Sequence, residues 1–139
     1  MWKEKDGKII PSVCGTPDMF RDYVDMLDND NFSACLDIGH VPLVGEDISE
    51  MINTLGGKRL KALHIHDNDF LHDSHSLPYS GKIDFDLVCR ELAHIGYSGD
   101  FTFEPDGGIG NYPKELKQDA LNLLSETGRY LMEKIEQYR

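Results

Sequence analysis

The sequence has few basic residues and no long apolar run. Its 139 residues include 14 Lys and Arg against 25 Asp and Glu, which gives a net charge of −11 and a pI of about 4.8. This balance argues against binding to the phosphate backbone of a nucleic acid, because such binding requires clustered Lys and Arg. No run is long enough to span a bilayer, and the opening MWKEKDGKII lacks an apolar stretch after its charges. We therefore expect neither membrane association nor a signal peptide.

Cysteine is also scarce and forms no recognisable pattern. Cys14, Cys35 and Cys89 are odd in number and widely spaced, and no C-x-x-C pair occurs. They suit free thiols in a reducing compartment better than a disulfide framework, so we expect a cytoplasmic protein. The sequence has no internal repeat or linker, and its composition is 40% hydrophobic and 28% charged. Residues 1–139 are therefore predicted to form a single globular domain.

Helical and extended patterns alternate along the chain. Thr16-Pro17 has the form of an N-cap followed by proline at the first helical position, and Asp84 is a second candidate N-cap. Apolar residues at helical spacing predict four helices, near residues 17–27, 48–55, 85–95 and 113–135. Short apolar runs predict three strands over residues 32–36, 60–66 and 101–104. This alternation predicts an α/β fold with a parallel sheet.

Each predicted strand ends near a residue that can bind a metal. These residues are Asp37, His64 or His66, and Glu104. Because the carboxyl ends of parallel strands converge on one face of the sheet, we expect these side chains to meet there. Two carboxylates and an imidazole suit a divalent ion of the zinc, manganese or cobalt type. The alternative is that each of these side chains only makes a hydrogen bond to a neighbouring loop.

Additional histidines accompany two of these strand ends. His40 follows Asp37 by three residues, and Gly39 between them permits a sharp turn that faces both side chains toward one pocket. His64 and His66 share one face of their strand because side chains alternate with a period of two. The alternative for one of this pair is a core histidine with satisfied hydrogen bonds.

The loop after the second strand contains a further candidate pair, Asp73 and His75. Its residue types are compatible with metal binding, and the alternative is a solvated loop. Five of the six histidines lie within residues 40–75, namely His40, His64, His66, His72 and His75. This clustering is the strongest indication of a site in the composition.

Four segments resemble one known family in their order and spacing. They are CLDIGH at 35–40, LHIHDND at 63–69, DSHSLPYSGKID at 73–84 and GYSGDFTFE at 96–104. Together they resemble the xylose isomerase-like (β/α)8 barrel superfamily, also described as AP endonuclease family 2. That superfamily includes sugar and sugar-phosphate isomerases and epimerases as well as endonuclease IV-type apurinic endonucleases. The resemblance runs from about Thr16 to the C-terminus.

The resemblance also implies roles for individual residues. Asp37, His64 and Glu104 match the metal ligands of the sixth, seventh and eighth barrel strands, and Glu104 is in addition the catalytic carboxylate. His64 is preferred to His66 because the family pattern H-x-K-D aligns with residues 64–67, which leaves His66 at the lysine position. The residues implied to bind substrate are His40, His66, Asp73 and His75.

The chain is shorter than a complete barrel of this type, which takes about 250 residues. The resemblance covers the last three βα units and one preceding helix. We therefore expect the C-terminal part of a (β/α)8 TIM barrel, with three parallel strands alternating with four helices. In relatives, a fourth ligand on the fifth strand lies just before a segment like Met1-Trp2, so the sequence is interpreted as a C-terminal fragment.

Three functions are compatible with these features. The first is a sugar or sugar-phosphate isomerase or epimerase that depends on a divalent ion (Zn, Mn, Co or Mg) and transfers a proton through an enediolate. The second is an endonuclease IV-like apurinic endonuclease with zinc, for which Asp73 and His75 match an extra-metal loop but the acidic charge is unfavourable. The third is a catalytically incomplete half barrel that binds metal without turnover.

Two further expectations concern the substrate and the assembly. The segment Gly107-Gly108-Ile109-Gly110 is either a phosphate cradle or a flexible loop. A partial barrel leaves strand edges open, and the inward-facing Cys35, Ala62 and Thr102 would meet water. We therefore expect a homo-oligomer that acts on a small sugar or sugar phosphate rather than on nucleic acid.

Overall fold

The computed structural model describes residues 2–139 and has an α/β architecture. The predicted class is confirmed, with three parallel strands that alternate with four long helices. The elements in chain order are β1 Trp2–Lys5, β2 Lys8–Pro11, α1 Pro17–Leu27, β3 Ala34–Asp37, α2 His40–Leu43, α3 Ile48–Arg59, β4 Leu60–Ile65, α4 Phe85–His94, β5 Asp100–Phe103, α5 Asp106–Gly110 and α6 Lys114–Tyr138.

Side-chain caps begin three of the four long helices. The Thr16 side chain accepts a hydrogen bond from Met19 N at the start of α1, and Asp47 accepts one from Glu50 N at the start of α3. Asp84 accepts bonds from the backbone N–H groups of Asp86 and Leu87 at the start of α4, at 3.0 Å each. These caps satisfy donors that the first helical turn leaves unpaired, so local sequence sets where the helices begin.

The parallel sheet has the strand order β3-β4-β5. Asp37 on β3 is opposite His64 on β4, and His64 is in turn opposite Thr102 on β5. Past the strand ends, Ile38 N donates to His64 O and Glu104 N donates to Ile65 O, both at 3.0 Å. This register places the ends of the three strands side by side.

The two faces of the sheet have different environments. Leu36, Leu63 and Ile65 are buried on one face, where they pack in one core with residues of α1, α2, α3, α4 and α6. On the other face Cys35 and Thr102 are exposed. The alternation of side chains along each strand produces this division. Within residues 2–139, no strand pairs with the outer edge of β3 or of β5.

An antiparallel hairpin at the start of the chain was not predicted. Trp2 pairs with Pro11, and the turn between β1 and β2 is formed by Asp6 and Gly7, with φ of 54° and 72°. Asp-Gly is a strong signal for a two-residue hairpin turn, so the sequence contained the information. Trp2 therefore belongs to this hairpin instead of the parallel sheet, and Met1 lies outside the described residues.

Candidate functional site

The three predicted metal ligands meet at the carboxyl ends of the strands. Asp37 ends β3, His64 lies near the end of β4, and Glu104 directly follows β5. One ligand atom from each lies within 4.8 Å of the others, and His64 Nδ1 is 3.1 Å from Glu104 Oε1. One imidazole nitrogen and two carboxylate oxygens are donor types that zinc accepts, and catalytic zinc sites likewise use three protein ligands and keep a position open. We call this group the strand-end triad; its role as a ligand set remains a prediction.

His66 belongs to a different part of the site. Its side chain is fully buried, and its Nε2 donates to Asp37 Oδ1 at 2.9 Å. The ring fits there because residue 39 is glycine, since a Cβ on Gly39 would lie only 2.0 Å from the ring of His66. Gly39 lies in the turn between β3 and α2 and has an ordinary helical φ of −69°, so glycine is needed there for space beside His66 rather than for its backbone conformation.

Four other predicted residues form a second group of potential ligands, which we call the loop cluster: His40, His66, Asp73 and His75. Asp73 Oδ2 lies 3.2 Å from His40 Nε2, and Asp73 Oδ1 lies 3.2 Å from His75 Nε2. The rings of His66 and His75 stack with their centroids 3.8 Å apart. Asp73 and His75 are part-buried, so they do not lie on a solvated loop.

Two buried atoms in the loop cluster have no hydrogen-bond partner among residues 2–139. They are His66 Nδ1 and Asp73 Oδ1, and the nearby His75 Nε2 is not aligned to bond the latter. Buried polar atoms without partners are costly in proteins. An unpaired nitrogen and an unpaired carboxylate oxygen that line one space are suited to bind a cation or the hydroxyl groups of a substrate.

Hydrogen bonds connect the loop cluster to the strand-end triad. Asp37 accepts from His66 and from the backbone N–H of His40, while His75 Nδ1 donates to the backbone carbonyl of Glu104 at 2.9 Å. Asp67 stabilises the loop after β4, because its buried carboxylate accepts hydrogen bonds from Gly81 N and Ile83 N. The two groups therefore form one continuous polar site.

Burial and neighbouring charges shift the pKa values of three residues at the site in different directions. Burial raises the pKa of Asp37, but the hydrogen bond and charge of His66 outweigh it and leave that pKa below its usual value. Burial similarly lowers the pKa of His66, yet the bond to Asp37 outweighs it and leaves the pKa raised. For His40 burial prevails, and its pKa is lowered despite the neighbouring Asp37 and Asp73.

The lowered pKa of His40 favours its neutral form, which leaves a local deficit of positive charge. Its Nδ1 lies 3.2 Å from Asp37 Oδ2, and its Nε2 lies 3.2 Å from Asp73 Oδ2. A neutral imidazole has one N–H and can donate to only one of two carboxylates. The other nitrogen then faces an oxygen without a proton between them. The donor set and this charge deficit both fit a divalent cation.

Two contributors to the site have structures that were not predicted from the sequence. The indole of Trp2 lies edge-on to His40, with ring centroids 6.1 Å apart, so the hairpin places an aromatic wall beside the loop cluster. The glycine-rich segment was interpreted as a phosphate cradle or a flexible loop. It forms the short helix α5 and packs against the loop that holds Asp73 and His75.

Comparison with known proteins establishes the family. The family model of the xylose isomerase-like TIM barrel matches residues 7–127. The chain belongs to this family. An uncharacterised protein of Methanocaldococcus jannaschii is 31% identical over 115 residues, which cover 80% of this chain and 39% of that protein. An uncharacterised protein of Sinorhizobium fredii is 34% identical over 76 residues, which cover 55% of this chain and 24% of that protein.

Solved structures show the same fold at lower identity. D-psicose 3-epimerase with D-tagatose from Clostridium cellulolyticum has a TM-score of 0.70 and 20% identity, and the match covers 84% of this chain and 44% of that chain. A zinc-bound IolI protein has a TM-score of 0.63 and 20% identity, covering 90% of this chain and 45% of that chain. The chain spans less than half the length of these proteins, so its three strands correspond to part of a TIM barrel.

Among residues 2–139, no helix is long and apolar enough to cross a membrane.

Proposed function

We propose that the protein is a sugar or sugar-phosphate isomerase or epimerase that depends on a divalent ion. The observation that carries this proposal is the convergence of Asp37, His64 and Glu104 at the ends of three adjacent parallel strands. Three findings support the proposal: the family membership, the similar fold of an epimerase, and the similar fold of a protein that binds zinc. The metal is zinc, manganese, cobalt or magnesium, and the strand-end triad would hold it.

In this proposal the protein's own groups move the proton and orient the sugar. When bound, the ion supplies polarisation of the substrate oxygens and stabilises the negative charge of the enediolate. The Glu104 carboxylate takes a proton from the carbon next to the carbonyl, or returns it, from one side of the sugar. The family resemblance assigns the opposite side to a glutamate on a barrel strand that the three described strands do not include.

The loop cluster binds the sugar in the same proposal. His66 Nδ1 and Asp73 Oδ1 are buried and have no hydrogen-bond partner within the described part of the chain, so substrate hydroxyl groups would satisfy both. His40 and His75 border the same space and contact Asp73. Hydroxyl groups both donate and accept hydrogen bonds, so they can satisfy a nitrogen and a carboxylate oxygen in the same space.

Titration of metal-free protein with Zn²⁺ tests the first part of the proposal. We expect one tightly bound ion per chain, measured by calorimetry and by elemental analysis after dialysis. His64→Ala is expected to weaken binding by at least about 100-fold, because even residues behind the ligands change metal affinity by about 10- to 100-fold. The matched control is His94→Ala, since His94 is exposed on α4. Equal affinity in the two variants would contradict the assignment of His64.

A second candidate function is favoured by one observation. The loop cluster has enough donor atoms for an additional ion, as expected of an endonuclease IV-like apurinic endonuclease. The net charge of −11 is unfavourable for that activity, because DNA binding depends on neutralising phosphates. Two Zn²⁺ ions per chain together with cleavage of a duplex that contains an abasic site would select this candidate. Metal binding without turnover of either substrate would indicate a catalytically incomplete half barrel.

We also propose that the protein assembles into a homo-oligomer through the open side of its sheet. Cys35 and Thr102 are exposed there, and the outer edges of β3 and β5 have no strand partner within residues 2–139. Open strand edges and uncovered faces favour association. The partner copy would cover the face that contains Cys35.

Thiol labelling across a dilution series tests this assembly. We expect Cys35 to react more slowly as the protein concentration rises, in parallel with a larger sedimentation coefficient. Cys89 serves as the internal control, because it is 1% exposed and burial raises its pKa to about 11, so it should remain unreactive. A compact monomer that unfolds cooperatively at every concentration would overturn the proposal.

A further inference from the structure

The helix α5 is in unusually close contact with the loop that holds Asp73 and His75. A Cβ placed on Gly107 would lie 1.9 Å from the carbonyl oxygen of Ser74, the residue between those two. A Cβ on Gly108 would lie 2.9 Å from Leu77 N. Because protein interiors are close-packed, no side chain fits at the first position without displacing the loop.

Hydrogen bonds also fix the position of this loop relative to α5 and to Glu104. Gly108 N donates to His75 O at 2.9 Å, and His75 Nδ1 donates to Glu104 O at 2.9 Å. His75 itself has a φ of 43°, an uncommon conformation for a residue with a side chain, so the surrounding contacts must maintain it. On its other side the loop is anchored where Ser76 and Asp67 exchange two backbone hydrogen bonds of 2.9 Å.

We infer that Gly107 and Gly108 are positioning residues that fix Asp73 and His75 relative to Glu104. The inference rests on the proposed function in one respect, since it takes Asp73 and His75 to bind the sugar that Glu104 deprotonates. The two glycines have no side chain to contact substrate, so they act only through the loop. A misplacement of about 1 Å in such a site can lower catalysis by about 100-fold.

Three alanine variants of the same short helix form a graded test. Gly107→Ala adds a methyl group 1.9 Å from Ser74 O, Gly108→Ala adds one 2.9 Å from Leu77 N, and Gly110→Ala adds one with nothing within 4 Å. Alanine favours helix over glycine at each position, so helix propensity alone would make all three variants neutral or stabilising. Any loss must then come from the contact with the loop, and it should follow the order Gly107, Gly108, Gly110.

The first readout requires neither metal nor activity. Long-range ¹H–¹⁵N spectra of the imidazole groups, recorded on metal-free protein, should show His75 protonated at Nδ1 in the wild type and in Gly110→Ala. Gly107→Ala should lose that signature because the hydrogen bond to Glu104 O is broken. The same His75 signature in Gly107→Ala and Gly110→Ala would overturn the inference.

The second readout connects the geometry to the reaction. With keto-hexoses as substrates, kcat of Gly107→Ala should fall by about 100-fold, while its Zn²⁺ affinity at the strand-end triad stays within about twofold of wild type. If the wild type turns over no sugar, the proposed function fails while the imidazole spectra still decide the inference. If Gly107→Ala does not fold, Gly108→Ala decides it, since its milder contact predicts a partial loss of the His75 signature relative to Gly110→Ala.

Discussion

Replacement of Glu104 by glutamine is expected to lower kcat on keto-sugars by about 10²- to 10⁴-fold, the usual contribution of a positioned general acid–base group. Glutamine keeps the shape of the side chain and its ability to contact His64, but it cannot take or return a proton at neutral pH. The carboxylate of Glu104 lies 3.1 Å from His64 Nδ1 and is part-exposed at the end of β5, where a substrate can reach it.

The matched control is Glu115→Gln, because Glu115 is exposed in the first turn of α6 and belongs to neither group of candidate ligands. Both variants are assayed at saturating metal, so that weaker metal binding by the glutamine is not mistaken for a loss of proton transfer. Quenching of the fluorescence of Trp2, the one tryptophan in the sequence, reports sugar binding independently of turnover. Retention of wild-type kcat by Glu104→Gln would exclude Glu104 as the catalytic carboxylate.

Replacement of Asp37 by alanine is expected to lower both the thermal stability of the protein and its affinity for metal. Asp37 is 7% exposed and accepts hydrogen bonds from His66 Nε2 and His40 N. Its loss leaves the fully buried His66 without its carboxylate partner, at a cost of about 3 kcal/mol. We expect a decrease in melting temperature of about 10 °C, measured by calorimetry on metal-free protein.

The same variant should also fail to bind Zn²⁺ at the strand-end triad, because only His64 and Glu104 remain. Asp119→Ala is the control for charge removal, since Asp119 is exposed on α6. Stability and Zn²⁺ affinity equal to those of Asp119→Ala would contradict both the structural and the ligand role of Asp37.

Features that depend on nearby residues in the chain were accessible from the sequence. Thr16 and Asp84 were identified as caps because an N-cap acts on the two or three residues that follow it. The strands preceding Asp37, His64 and Glu104 were recognised from short apolar runs, and the parallel arrangement follows from their alternation with helices. The hairpin was missed although Asp6-Gly7 is a local signal, because the flanking residues are too polar to resemble strands.

The division of the polar residues into two groups was not accessible in this way. His64 and His66 are two residues apart on one strand, and alternation alone assigns both to the same face. The structure separates them because His66 lies past the end of β4, where the space above Gly39 admits its ring next to Asp37, 29 residues earlier in the chain. Contact between residues so distant in sequence depends on how the loops pack.

The glycine-rich segment after β5 illustrates the same physical limit. Its composition is compatible with a phosphate cradle, a flexible loop or a short helix, since glycine permits all three. Which one forms depends on the loop of residues 73–77, which packs against Gly107 and accepts a hydrogen bond from Gly108. Local propensity therefore predicted the sheet, the residues at the strand ends suggested the candidate ligand types, and the resemblance of four segments indicated the family. The pairing of His66 with Asp37, the position of Trp2 and the packing of α5 required the folded chain, because each is a steric fit between segments that are remote in sequence.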